Sequence, residues 1–172
     1  MCYVAKSQDS VHIGWCGDGV GELMLEAYAD SDFASDQDTS RSTPGGCLLV
    51  SGPDTSFVIS ALSKRQSVVS HSTPEAEIVA ADYVVRTAVL PAFGMWELVL
   101  ARPVHAVLFE DNSACVQVCR TGHNPTMRVL QRTHKVSVAW LHECFQVPNS
   151  IWSKLTPLLR GLISSPSRSL RR

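Results

Sequence analysis

The hexapeptide Ser72-Thr73-Pro74-Glu75-Ala76-Glu77 constrains the fold more than any other stretch of the chain. Ser72 is a capping residue, Pro74 suits a first helical turn, and Glu75 stands three places on from Ser72. This spacing predicts a helix from 72 to about 90. Pro91 is expected to end or kink it. The residues before this start signal carry a different period. Residues 21–30 alternate through Leu23, Leu25, Ala27 and Ala29, which predicts a strand. Residues 47–50 and 56–61 flank Gly52-Pro53-Asp54 and read as a hairpin. After the helix, residues 104–110 (VHAVLFE) predict a fourth strand and residues 112–119 a short helix. A last helix is expected to begin near Thr133 and run through Trp140 to Phe145. The order βββαβαα is that of an α/β layered domain with a mixed sheet.

With 172 residues, 45% apolar and 18% charged, the chain can bury one core without a disulfide or metal staple. Its six cysteines contain no Cys-x-x-Cys pair, so reduced, buried thiols are expected and a zinc site is disfavoured. No uninterrupted apolar run approaches the roughly 20 residues that span a bilayer, and the first residues lack a secretory apolar stretch. No membrane partner and a cytoplasmic or nuclear setting are therefore expected. A net charge of -1 disfavours a nucleic-acid partner, because such domains are usually basic. The charge is uneven, however. From Cys144 to Arg172 there are five basic residues and no acid, so the first 143 residues carry -6. The tail, 146–172, contains Pro148, Pro157 and Pro166 and reads as a short helix followed by disorder.

Three carboxylates stand at telling places. Asp30 is at the end of the first predicted strand and Asp111 at the end of the fourth, where α/β sheets expose functional groups. Each also has a plain explanation: Asp30 as the opening of a turn, Asp111 as a helix cap. On the predicted helix, Glu75, Val79, Asp82 and Arg86 share one stripe. Glu77 shares another with Ala80, Ala81, Val84 and Ala88. Glu75 is thus expected to face water and Glu77 the sheet. A carboxylate on a packed face needs a partner, either a hydrogen-bond donor or a cation. Three acids converging at one sheet end repel one another, and a hard divalent cation relieves that repulsion.

Five segments in register resemble the ribonuclease H domain of copia-type retrotransposon polyproteins. They are residues 27–36 (AYADSDFASD), 41–45 (RSTPG), 62–67 (LSKRQS), 72–77 (STPEAE) and 109–114 (FEDNSA). The resemblance covers residues 23–145. It implies a ribonuclease H-like three-layer fold with a central mixed β-sheet flanked by helices, and hydrolysis of the RNA strand of RNA–DNA hybrids with two Mg2+ or Mn2+ ions. By position, Asp30, Glu77 and Asp111 correspond to the first three carboxylates of that family's site, with Asp32 a neighbour. The resemblance further implies a reverse transcriptase domain as partner in the parent polyprotein, and residues 1–22 as a remnant of the connection to it.

The pattern breaks at the fourth carboxylate. The family segment reads roughly Arg-Thr-Lys-His-Ile-Asp-Ile, whereas this chain has Arg132-Thr133-His134-Lys135-Val136-Ser137-Val138, which puts Ser137 at the acid's place. A serine hydroxyl is a much weaker ligand than a carboxylate. Either Ser137 acts through water, another acid such as Asp32 or Asp36 substitutes, or the domain is an inactive remnant that at most binds nucleic acid or protein. His134 is a candidate polar helper. From residue 146 onward the sequence leaves the family's pattern, and a retroelement fragment is one expectation. Lys64 and Arg65 after the third strand, and Arg128, Arg132 and Lys135 around the last helix, are candidate phosphate contacts.

Overall fold

The computed structural model describes residues 11, 13–102, 104–124, 127, 129–146 and 151–152. The elements in chain order are β1 (Trp15–Cys16), β2 (Met24–Asp32), β3 (Thr43–Gly52), β4 (Thr55–Ser63), α1 (Thr73–Val84), α2 (Leu90–Leu100), β5 (His105–Phe109), α3 (Ser113–Thr121), α4 (Leu130–Thr133), α5 (Val138–Gln146) and β6 (Ile151–Trp152). The strands form one mixed sheet in the order β1-β4-β3-β2-β5-β6. β2, β3 and β4 run antiparallel as a meander, while β5 lies parallel to β2. The alternation seen in the sequence becomes the two faces of β2: Leu25, Ala27, Ala29 and Ser31 are buried, and Met24, Asp30 and Asp32 are exposed. The fold is α/β, a mixed sheet with flanking helices, as the sequence implied.

α1 begins where the capping signal places it. Ser72 is extended, and its hydroxyl accepts the Glu75 N–H at 3.3 Å. α1 packs across β2 and β3, and α3 packs against α1 and α5. Leu25, Leu48, Ile78, Val84, Leu108 and Leu141 fill the space between them. The approach is closest at Gly46. A Cβ there would meet Val84 Cγ2 at 2.3 Å and the Tyr28 carbonyl oxygen at 2.5 Å, so glycine is what lets the helix lie on the sheet.

Two features depart from the sequence expectations. The helix does not end at Pro91: a π turn over Val85–Val89 joins α1 to α2. A proline inside an α-helix lacks the N–H for the bond four residues back and crowds that carbonyl, and the wider turn just ahead of it relieves both. The combined helix, Thr73–Leu100, is long and apolar enough to cross a membrane by length and composition, but over half of its most apolar window is buried inside the protein. The predicted last helix is also broken. α4 stops at Thr133, Lys135 takes a left-handed conformation (φ +62°), and α5 starts only at Val138. At the tail, β6 pairs parallel to β5, and the short helix and disorder expected within 146–172 fall on residues 153–172, outside the described residues. In the N-terminal segment, β1 pairs antiparallel with β4, and Thr55 Oγ1 accepts the Gly17 and Asp18 N–H groups at 3.2 Å each.

Candidate active site

β2 and β5 are adjacent and parallel, with Tyr28 level with Phe109, so the two residues past each of these, Asp30 and Asp111, emerge side by side at the same sheet end. α1 crosses above and lowers Glu77 from its first turns. Asp30, Glu77 and Asp111 offer carboxylate oxygens that all lie within 4.8 Å of one another. Asp30 and Asp111 are exposed, whereas Glu77 is only 3% exposed. Asp30 Oδ1 accepts the Ser31 N–H at 2.9 Å, which orients it.

The electrostatics of the cluster are those of three acids in a confined space. Burial pushes Glu77 up to about 8, the charges of Asp30 and Asp111 push in the same direction, and a hydrogen bond with the Ser31 backbone partly offsets both. Glu77 Oε2 is buried and finds no hydrogen-bond partner among the described residues. A buried carboxylate oxygen without a donor, facing two more carboxylates, fits a divalent cation with oxygen ligands.

The residue beside this cluster that sequence reasoning missed is Glu110. It is fully buried, and its Oε1 accepts the Asn112 N–H at 3.0 Å. Burial raises it to about 8, with smaller pushes from Glu77, Asp111 and Asp30. One signal was available: in residues 104–110 Glu110 shares the phase of the apolar Ala106 and Leu108, which a period of two assigns to the covered face. Asn112, rather than Asp111, caps α3, its Oδ1 accepting the Ala114 and Cys115 N–H groups at 3.0 Å.

Glu75 corrects the helical-stripe expectation. It does not face water but is 6% exposed. Its Oε2 accepts the His71 N–H at 2.9 Å, and its Oε1 lies 3.3 Å from Nε2 of the buried His134. The segment carrying His134 folds back over the start of α1 and covers Glu75, which a single-helix projection cannot register. His134 is thereby committed to Glu75, and its burial holds its pKa below the ordinary value.

Ser137 lies just ahead of α5, where its hydroxyl accepts the Trp140 N–H at 3.2 Å, an N-cap bond. It lines a recess of about 190 Å³ together with His123, Asn124 and Gln131. Of the acids available to replace it, Asp36 is engaged elsewhere. It pairs with Arg65 and accepts the Asp38 and Thr39 N–H groups, and the Arg65 guanidinium foremost lowers it to about 2.

Lys64 and Arg65 line a cleft of about 220 Å³ with Tyr83, Arg86 and His134. Pro44, also in this wall, pairs with Ser31, so the cleft begins next to the carboxylate cluster. Lys64 Nζ sits 5.9 Å from the Tyr83 ring centre. Arg132 and Lys135 are exposed on α4 and on the connection after it, and neither lines this cleft. Arg128 lies outside the described residues. Among the described residues, Cys115 and Cys119 are buried free thiols, Cys47 and Cys144 are half-buried, and Cys16 is exposed.

No protein-family model matches the chain, and no curated protein matches it by sequence. Among solved structures, RNase H1 from the halophilic archaeon Halobacterium salinarum matches with a TM-score of 0.53 and 16% identity, over 81% of this chain and 88% of that one. The N-terminal RNase H domain of a Mycobacterium tuberculosis protein, solved as a fusion with maltose-binding protein, matches with a TM-score of 0.49 and 14% identity, over 81% and 86%. At this identity the archaeal likeness is one of fold alone: the chain has a ribonuclease H-like α/β fold.

Proposed function

We propose that this ribonuclease H-like domain is a nuclease of the copia-type retrotransposon class that hydrolyses the RNA strand of RNA–DNA hybrids, with Asp30, Glu77 and Asp111 holding two magnesium or manganese ions. The observation that carries the reading is the convergence of these three carboxylates, from two strand ends and a helix, to within 4.8 Å. Five sequence segments resembling that class, in matching order, support the finer assignment. Ions held by Asp30, Glu77 and Asp111 would supply water activation and Lewis-acid stabilisation of the leaving oxygen at a scissile phosphate.

The chain's own residues account for the rest. The Ser31 amide fixes Asp30, and the packing of α1 on β2 fixes Glu77. Lys64 and Arg65 would hold backbone phosphates as the strand leaves the cluster along the cleft. Arg132 and Lys135, outside that cleft, are weaker candidates for the same role. In the polyprotein setting that the resemblance implies, a reverse transcriptase domain would deliver the hybrid. Ser137 offers a neutral hydroxyl already used as a cap, so turnover is expected to fall below that of a site with four carboxylates.

The test is cleavage of an end-labelled RNA–DNA hybrid in Mg2+ and in Mn2+. RNA products from the hybrid, none from duplex DNA, and loss of at least about a hundredfold in Asp111→Asn are expected. Ser137→Asp is expected to raise the rate. Absence of cleavage in either metal by both the natural chain and Ser137→Asp would overturn the enzyme reading and leave an inactive remnant.

A further inference from the structure

Beneath the carboxylate cluster is a second set of oxygens to which the proposed chemistry assigns no role. Three buried side-chain oxygens, Glu77 Oε2, Glu110 Oε2 and Ser31 Oγ, find no hydrogen-bond partner among the described residues. The sheet register places them together. Ser31 follows Ala29 on the buried face of β2, and Glu110 follows Ala106 and Leu108 on that of β5. Phe109 is level with Tyr28, so Glu110 comes level with Ala29, one strand over and two residues short of Ser31. This is the face that α1 covers, and Glu77 descends from α1 onto it.

The Ser31 backbone amide bonds with Glu77, which ties the two elements together at this point. A buried oxygen left without a partner is costly, and Glu110 lies close enough to feel the charges of Glu77, Asp111 and Asp30, so these oxygens call for a common partner. Glu110 already spends its other oxygen on the Asn112 N–H, so the free one is held in a fixed place. A second carboxylate beside Asp111 is costly to keep there for packing alone, since an apolar side chain would fill the same volume without desolvating an acid.

We propose that Glu110 is an additional acid of the cation centre, its free oxygen acting with Ser31 Oγ on the inner side of the hydrated ions that Asp30, Glu77 and Asp111 bind. This rests on the cation-dependent reading above. It makes the site a four-acid centre by a different route, with the fourth carboxylate contributed from the end of β5 instead of from the segment that carries Ser137. Glu110 acts through the ions' waters, so its effect is on metal affinity before it is on rate.

The experiment is Mn2+ titration followed by calorimetry and by loss of the free-ion paramagnetic resonance signal, on the natural chain, Glu110→Gln, Ser31→Ala and Asp30→Asn. Glu110→Gln preserves shape and the acceptor for Asn112, and a thermal melt establishes that it is folded. Mn2+ affinity about tenfold weaker in Glu110→Gln, and several-fold weaker in Ser31→Ala, is expected. Affinities within twofold of the natural chain in both variants would overturn the inference while leaving the three-carboxylate site standing. Failure of the folded natural chain to bind Mn2+ more tightly than Asp30→Asn would instead sink the cation reading itself, and this inference with it.

Discussion

Glu77 and Glu110 are acids kept where their charge is disfavoured, and that gives the metal-free protein a definite pH response. Both are raised from an ordinary 4.5 to about 8, first by burial and then by neighbouring carboxylates. Between these limits the native state holds protons that the unfolded chain has already released. The contribution of these two acids to stability in EDTA is therefore fully present below about pH 4.5, is lost as pH rises toward 8, and changes no further above it. The expected observation is a melting temperature that drops across this window in EDTA and recovers at pH 8 when Mg2+ is added. An unchanged melting temperature from pH 5 to 8 in EDTA would show that neither acid is held protonated. Glu75 and Glu110 mark the limits of reading residues singly. Glu110 could be found from the phase of its strand. Glu75 could not, because what buries it is a loop some sixty residues further along.

The elements form mainly for local reasons, and their ends are where local reasons fail. The capping geometry at Ser72 is realised as the sequence predicts, and Ser72→Ala is expected to cost about 1 kcal/mol in chemical denaturation. Gly46 is a different case. Nothing in its neighbourhood in the chain marks it, yet a methyl group there would overlap α1 and β2, so Gly46→Ala is expected to destabilise by about 3 kcal/mol or more in the same measurement. The hairpin of β3 and β4 extends past both ends of its sequence signal, since pairing with neighbouring strands continues for as long as partners exist. The break between α4 and α5 is also tertiary in origin. The Lys135 carbonyl accepts Arg86 Nη2 at 3.3 Å, and the Arg86 guanidinium lies 4.9 Å from the Trp140 ring centre, so the connection is held by a residue of the long helix.

For the molecule as a whole, a net charge of -1 is a poor guide to partners. The acids of the cluster and the cations of the Lys64–Arg65 cleft are adjacent, and they cancel in the sum while remaining separate in space. If the cleft holds a phosphate backbone, hybrid affinity falls with salt, and the double variant Lys64→Ala, Arg65→Ala lowers the slope of log K against log salt by about 2. An identical slope in the variant would remove these residues from the interface. The sequence by itself determined the layered α/β class, the start of the long helix, the alternation of β2, and acids at the ends of two predicted strands, because each is written in periodicity or capping within a few residues. Only the tertiary structure decided that Asp30, Glu77 and Asp111 share a space 4.8 Å across, that Glu75 is buried, that Ser137 caps a helix instead of lying within one, and that Glu110 stands beneath the cluster. Each of these depends on which element packs over which, and burial and charge coupling are properties of that packing and not of any one segment.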